Sequence, residues 1–127
     1  MKTASKLLVL FVLVSIVLMG CNSQGFTDPD KAKQAIEHIR KNTEKAINDK
    51  ELKLARELWS QISEYGVKFE EQGQDGLAGS LKTLASCYLN LVNYLESGDQ
   101  KQLEVFRKNY TKALEDLEKV VEKQYAK

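Results

Sequence analysis

The apolar positions of the chain follow two different rules. Residues 7–19 form one unbroken run, Leu-Leu-Val-Leu-Phe-Val-Leu-Val-Ser-Ile-Val-Leu-Met, without a charge. Beyond residue 21 the apolar residues recur three and four apart among charged and polar ones, the period of an α-helix that buries one face. That spacing predicts four helices. The first, over about 29–47, carries Ala32, Ile36, Ile39, Ala46 and Ile47, with Thr43 in the gap. The second, over about 49–72, carries Leu52, Ala55, Leu58, Trp59, Ile62, Tyr65, Gly66 and Phe69. The third, over about 76–97, steps through Leu77, Leu81, Leu84, Tyr88, Leu91 and Leu95, widened by Ala78, Ala85, Leu89 and Val92. The fourth, over about 100–125, steps through Leu103, Phe106, Tyr110, Ala113, Leu117 and Val120, flanked by Leu114 and Val121.

The residues between the stripes supply the boundaries. Asp28 before Pro29 reads as a helix start, a capping carboxylate followed by a proline in the first turn. Asn48-Asp49-Lys50-Glu51 has the form of a capping box with Asn48 as cap, and Ile47 and Leu52 match its hydrophobic staple. One continuous helix over 29–72 would be roughly 66 Å long at about 1.5 Å per residue. Nothing later in the chain could cover that length, so a break near Asn48 is expected. Gly73-Gln74-Asp75-Gly76 and Ser97-Gly98-Asp99 read as turns, with Gly98 ending one helix and Asp99 capping the next. Glu104–Lys108 and Glu115–Lys119 are favourable exposed pairs. The fold class is therefore all-α, an antiparallel bundle of about four amphipathic helices. Heptad-like spacing would also suit a coiled coil or a helical dimer. The short turns and wide stripes favour a single-chain bundle over residues 29–127.

The opening segment obeys a different logic. Lys2 and Lys6 precede the 13-residue apolar run, which is shorter than the roughly 20 residues a membrane span needs and fits a secretory leader. The run closes on Leu18-Met19-Gly20-Cys21, which resembles the lipobox of bacterial lipoproteins, with Met19 a less usual occupant of its place. The resemblance covers residues 1–21. It implies that residues 1–20 are removed as a signal peptide and that the Cys21 thiol receives a diacylglyceryl group. It also implies that the new amino group is often acylated, for example by palmitate. Two or three acyl chains hold a protein firmly where one holds it marginally. The resemblance thus implies a lipid-anchored protein on the exported side of the cell membrane or outer membrane. Residues 22–28 would be a tether of at most about 23 Å, keeping the bundle close to the membrane surface.

Charge and composition then narrow the chemistry. Without Lys2 and Lys6 the chain has 17 basic groups against 18 acidic ones, a net of −1. That balance gives no basic field for nucleic acid and no polybasic strip for anionic lipid. With Cys21 committed to lipid, Cys87 has no intramolecular disulfide partner and is expected to be a buried small hydrophobe. His38 is the lone histidine, and both methionines lie within the first 20 residues. A zinc site, a di-iron bundle or a His/Met haem site would each need more ligands than this. There is no phosphate-binding Gly-x-x-x-x-Gly-Lys loop. Gly73, Gly76 and Gly79 follow no strand and make no dinucleotide loop. The expectation is no catalytic residue, no metal and no cofactor, with His38 on the surface.

Function follows by elimination. The first expectation is a non-enzymatic interaction module with a protein partner, of adhesion, complex-subunit or immunity/exclusion type. The alternative is a lipoprotein holding a small apolar ligand in the bundle core, which a void between the second and third helices would support. The candidate partner surface lies on the third helix, where only Lys82 and Glu96 are charged between residues 76 and 97. Opposite its apolar set stand Thr83, Ser86, Asn90 and Asn93, flanked by Tyr94 and Cys87. Interface centres are depleted in charge and enriched in aromatics. The competing expectation is that this helix is the most buried of the four and that the strip is partly covered.

Overall fold

The computed structural model describes residues 29–125, and the leader over 1–20, Cys21, the tether over 22–28 and the expected Asp28 cap lie outside the described residues. The described chain forms four helices, α1 (Pro29–Asn48), α2 (Leu52–Glu71), α3 (Asp75–Ser97) and α4 (Gln100–Tyr125), with no strand among the described residues. Each helix packs against the next, and α4 returns against α1, which closes an all-α bundle. Arg40 pairs with Glu118, and Glu44 pairs with Arg107. The rising numbers on α1 meet falling numbers on α4, so these two helices run antiparallel. No described helix is long and apolar enough to cross a membrane.

Three helix ends turn on a residue of left-handed backbone. After α2, Gln74 N–H donates to Phe69 O and Gly73 N–H to Glu70 O, the paired bonds of a Schellman motif around Gly73 at φ 78°. After α1, Glu51 N–H donates to Ala46 O and Lys50 N–H to Ile47 O, the same motif around Lys50 at φ 52°. After α3, Gly98 N–H donates to Tyr94 O at φ 76°. The expected break near Asn48 is present, but the capping box is not. Asn48 is the last residue of α1, and Glu51 occupies the cap of α2 with no side-chain hydrogen bond. The reason is that the Schellman turn consumes residues 49–51, so α2 starts at Leu52 rather than at Asp49. At the α3–α4 joint Asp99 caps as expected: its Oδ1 accepts from Lys101 N–H at 3.0 Å.

The core is built from the expected faces, with corrections at their edges. Leu58, Ile62, Phe69, Leu77, Leu81, Leu84, Tyr88, Leu91, Phe106 and Leu117 are buried. Trp59, Leu52, Leu95, Leu103 and Val120 are only partly buried against that core, and Leu89 is 49% exposed. Ala35 and Tyr94 are buried although they lie outside the expected stripes, and Cys87, also outside them, is buried as expected of an unpaired thiol. On α3 the cause is position. This helix packs closely against both α2 and α4, and its buried arc runs from Tyr94 through Leu77 to Ala78, about 200° at 100° per residue. Leu89 falls just past the edge of that arc. α2 and α3 approach closely at Gly66, where an added Cβ would lie 2.8 Å from Lys82 Cγ. At the α3–α4 side, Tyr88 meets Phe106 and Tyr110 edge-on at 5.4 and 6.1 Å, while Phe106 and Tyr110 stack at 5.0 Å.

Glu104–Lys108 and Glu115–Lys119 are not among the ion pairs of the described residues. The cross-helix pairs are Arg40–Glu118, Arg107–Glu44, Arg56–Glu96 and Lys82–Glu70, all at the exposed rims.

Candidate functional site

A groove runs between α3 and α4. Thr83, Ser86, Cys87 and Asn90 form one wall, and Asn109, Lys112, Ala113 and Asp116 form the other. The helical period builds each wall: steps of three and four put all four residues of one helix on one flank. Ala113 is the small residue that lets the groove deepen, and Cys87 lies at its inner edge, 6% exposed. The rim is polar and nearly neutral, since Lys112 and Asp116 are its only charges.

The polar groups of the α3 wall are arranged by local bonds. Ser86 Oγ donates to Thr83 O at 2.7 Å. Cys87 Sγ donates to the same carbonyl at 3.4 Å. Asn90 Nδ2 donates to Gln102 Oε1 on α4 at 2.9 Å, which fixes its carboxamide across the helix–helix seam. Burial pushes the Cys87 thiol above its ordinary range, so it stays protonated near neutral pH. A protonated thiol is a poor nucleophile and a poor metal ligand.

The structure brings together three of the five residues singled out on the third helix. Thr83, Ser86 and Asn90 share the groove wall. Asn93 is exposed but lies on the outward side of α3, where its carbonyl accepts from Ser97 Oγ at 2.7 Å. Tyr94 does not join the strip. It is 8% exposed and turned into the core, because the buried arc of α3 reaches round toward α4. α3 does bury more residues than any other described helix, yet Thr83, Ser86 and Asn93 remain exposed. The α4 wall was not singled out from sequence. Its signal was available in Ala113, a small residue flanked at helical spacing by Asn109, Lys112 and Asp116 between two charged stretches.

His38 on α1 is half-buried beside Asn42, whose Nδ2 lies 3.2 Å from the imidazole nitrogens and donates to His38 O at 2.8 Å. Burial first, and Lys41 second, lower its pKa, so the ring is neutral near pH 7. Among the described residues no group of three or more His, Cys, Asp or Glu side chains is placed to hold a metal ion. No protein-family model, curated protein or solved structure matches the chain.

Proposed function

We propose that the protein is a lipid-anchored envelope lipoprotein whose bundle acts by contact with a protein partner and performs no chemistry of its own. The observation that carries this reading is the α3–α4 groove, an exposed and nearly neutral wall of hydroxyls and carboxamides facing a second helix. Such a wall supplies donors and acceptors at fixed spacing, and the charge depletion is that of an interface centre. Its thiol is held protonated by burial. The anchor rests on Leu18-Met19-Gly20-Cys21 behind Lys2 and Lys6. Lipidated at Cys21, the bundle would sit within about 23 Å of the cell membrane or outer membrane, on the exported side. Adhesion, a place in an envelope complex, and immunity or exclusion would each fit this arrangement. An apolar ligand in the core is the weaker reading, because α2 and α3 meet closely at Gly66 and the aromatic rings fill the α3–α4 side.

The test has two arms. A photo-crosslinking residue at Asn109, introduced in the native envelope, should capture a discrete protein that is absent when the probe sits at Glu64 on α2. Asn90→Lys should abolish that capture while the protein stays folded. Identical capture at both positions overturns the contact surface. For the anchor, Cys21→Ser should lose fatty-acid labelling, and a mature chain beginning anywhere but Cys21 overturns it.

A further inference from the structure

Three joints connect the four helices, and one of them is built from the wrong residue. Gly73 and Gly98 supply the left-handed backbone after α2 and α3, whereas Lys50 supplies it after α1 at φ 52°. That conformation is disfavoured for any residue with a Cβ. Asn48-Asp49-Lys50-Glu51 also contains neither glycine nor proline, so nothing covalent prevents the helix from running on from α1 into α2.

The helix on the far side of this joint is also the one most lightly held. α1 stands farther from its neighbours than α3 does from α2 and α4. It contributes no aromatic ring to the core, and its centre is Thr43. Its flank is clasped by Arg40–Glu118 and Arg107–Glu44, ion pairs with side chains 43–47% exposed that contribute little net stability. In a straight helix the apolar stripes of α1 and α2 would point about 110° apart, at 100° per residue. A straightened α1 therefore cannot return to its own bundle. The seat it leaves would need Thr43 against Tyr88, Arg40 against Glu118 and Glu44 against Arg107. Another α1 carries that set.

We propose that two copies of the chain exchange α1. The joint over 49–51 straightens, α1 and α2 become one helix, and the α1 of each copy docks on α2, α3 and α4 of the other with the contacts it makes at home. Short joints under strain favour this kind of exchange. The proposal stands independently of the α3–α4 groove.

The test uses the full chain in detergent with Arg40→Lys, which keeps the pair with Glu118 and makes it linkable by carbodiimide. Nitrogen-15-labelled and unlabelled copies are unfolded together, refolded at high concentration and coupled, and peptides joining positions 40 and 118 are read by mass spectrometry. Exchange is expected to give mixed heavy–light links. Adding Lys50→Gly, which removes the disfavoured conformation without altering the helices, should lower the mixed fraction about tenfold. Links confined to heavy–heavy and light–light pairs overturn the proposal. So does a mixed fraction that Lys50→Gly leaves unchanged.

Discussion

Tyr88 Oη donates its hydrogen bond to Thr43 Oγ1, 2.6 Å away, and the direction is fixed by a third group. Thr43 has one hydroxyl proton, and Ile39 O, also 2.6 Å away, can only accept it. Thr43 must therefore accept from Tyr88. Both side chains are fully buried, and burial holds the Tyr88 phenol well above its usual pKa, so it keeps its proton.

This direction makes the two deletions unequal. Thr43→Val leaves the Tyr88 hydroxyl buried without its acceptor and should cost about 1–3 kcal/mol. Tyr88→Phe leaves Thr43 bonded to Ile39 and should cost nearer 1 kcal/mol for the hydrogen bond. The double variant should lose less than the sum of the two. Urea unfolding of the four proteins measures this, and strictly additive losses would contradict the assignment.

The α2–α3 contact at Gly66 should tolerate a methyl group and refuse more. A Cβ there meets Lys82 Cγ at 2.8 Å, which the lysine stem relieves by rotating, and Lys82 N at 3.4 Å, which is backbone. Gly66→Ala should be close to neutral, because helix propensity improves by about 0.5–1 kcal/mol. Gly66→Leu should cost about 1–3 kcal/mol by forcing the helices apart. Thermal or urea unfolding separates the two outcomes.

Leu84 and Trp59 should respond differently to truncation, although both lie on expected apolar stripes. Leu84 is fully buried, so Leu84→Ala should cost about 2–5 kcal/mol. Trp59 is only partly buried at the edge of the core, and Trp59→Ala should cost less than Leu84→Ala. A larger loss at Trp59 would place it deeper than the structure does.

Stability should decline in mild acid through His38. Burial, and then Lys41, hold its folded pKa below the ordinary value of about 6.5, so the unfolded chain binds the proton more tightly. The contribution is complete above about pH 6.5 and is lost as the pH falls below it. His38→Gln should flatten the unfolding free energy over that window, and an unchanged slope would assign the acid sensitivity elsewhere.

The helices were legible in the sequence because steps of three and four repeat along each stripe, and because Gly73, Gly98 and Asp99 carry recognisable end signals. The joint after α1 was misread for the complementary reason. Lys50 adopts a conformation whose usual marker is glycine, and the neighbouring Asn48 and Glu51 imitate a cap that does not form. On α3 the stripe gave the direction of the buried face but not its width. Cys87 is buried, as expected of a thiol without a disulfide partner, whereas burial of Tyr94 depends on how closely α4 approaches, which no residue of α3 records. The same limit applies to the groove: one wall was visible as an uncharged strip, while its partner wall exists only once α3 and α4 are side by side.

The antiparallel order places the start of α1 at Pro29 and the end of α4 at Tyr125 on the same end of the bundle. A pull that enters at Pro29 and leaves at the opposite end, through the α3–α4 turn at Gly98, therefore runs along the helix axes and slides α1 lengthwise past its neighbours. Arg40–Glu118, Thr43–Tyr88 and Glu44–Arg107 then resist in parallel as a shear joint, instead of opening one after another like a zipper. A bundle with this geometry resists tension best in the direction in which its first helix is drawn.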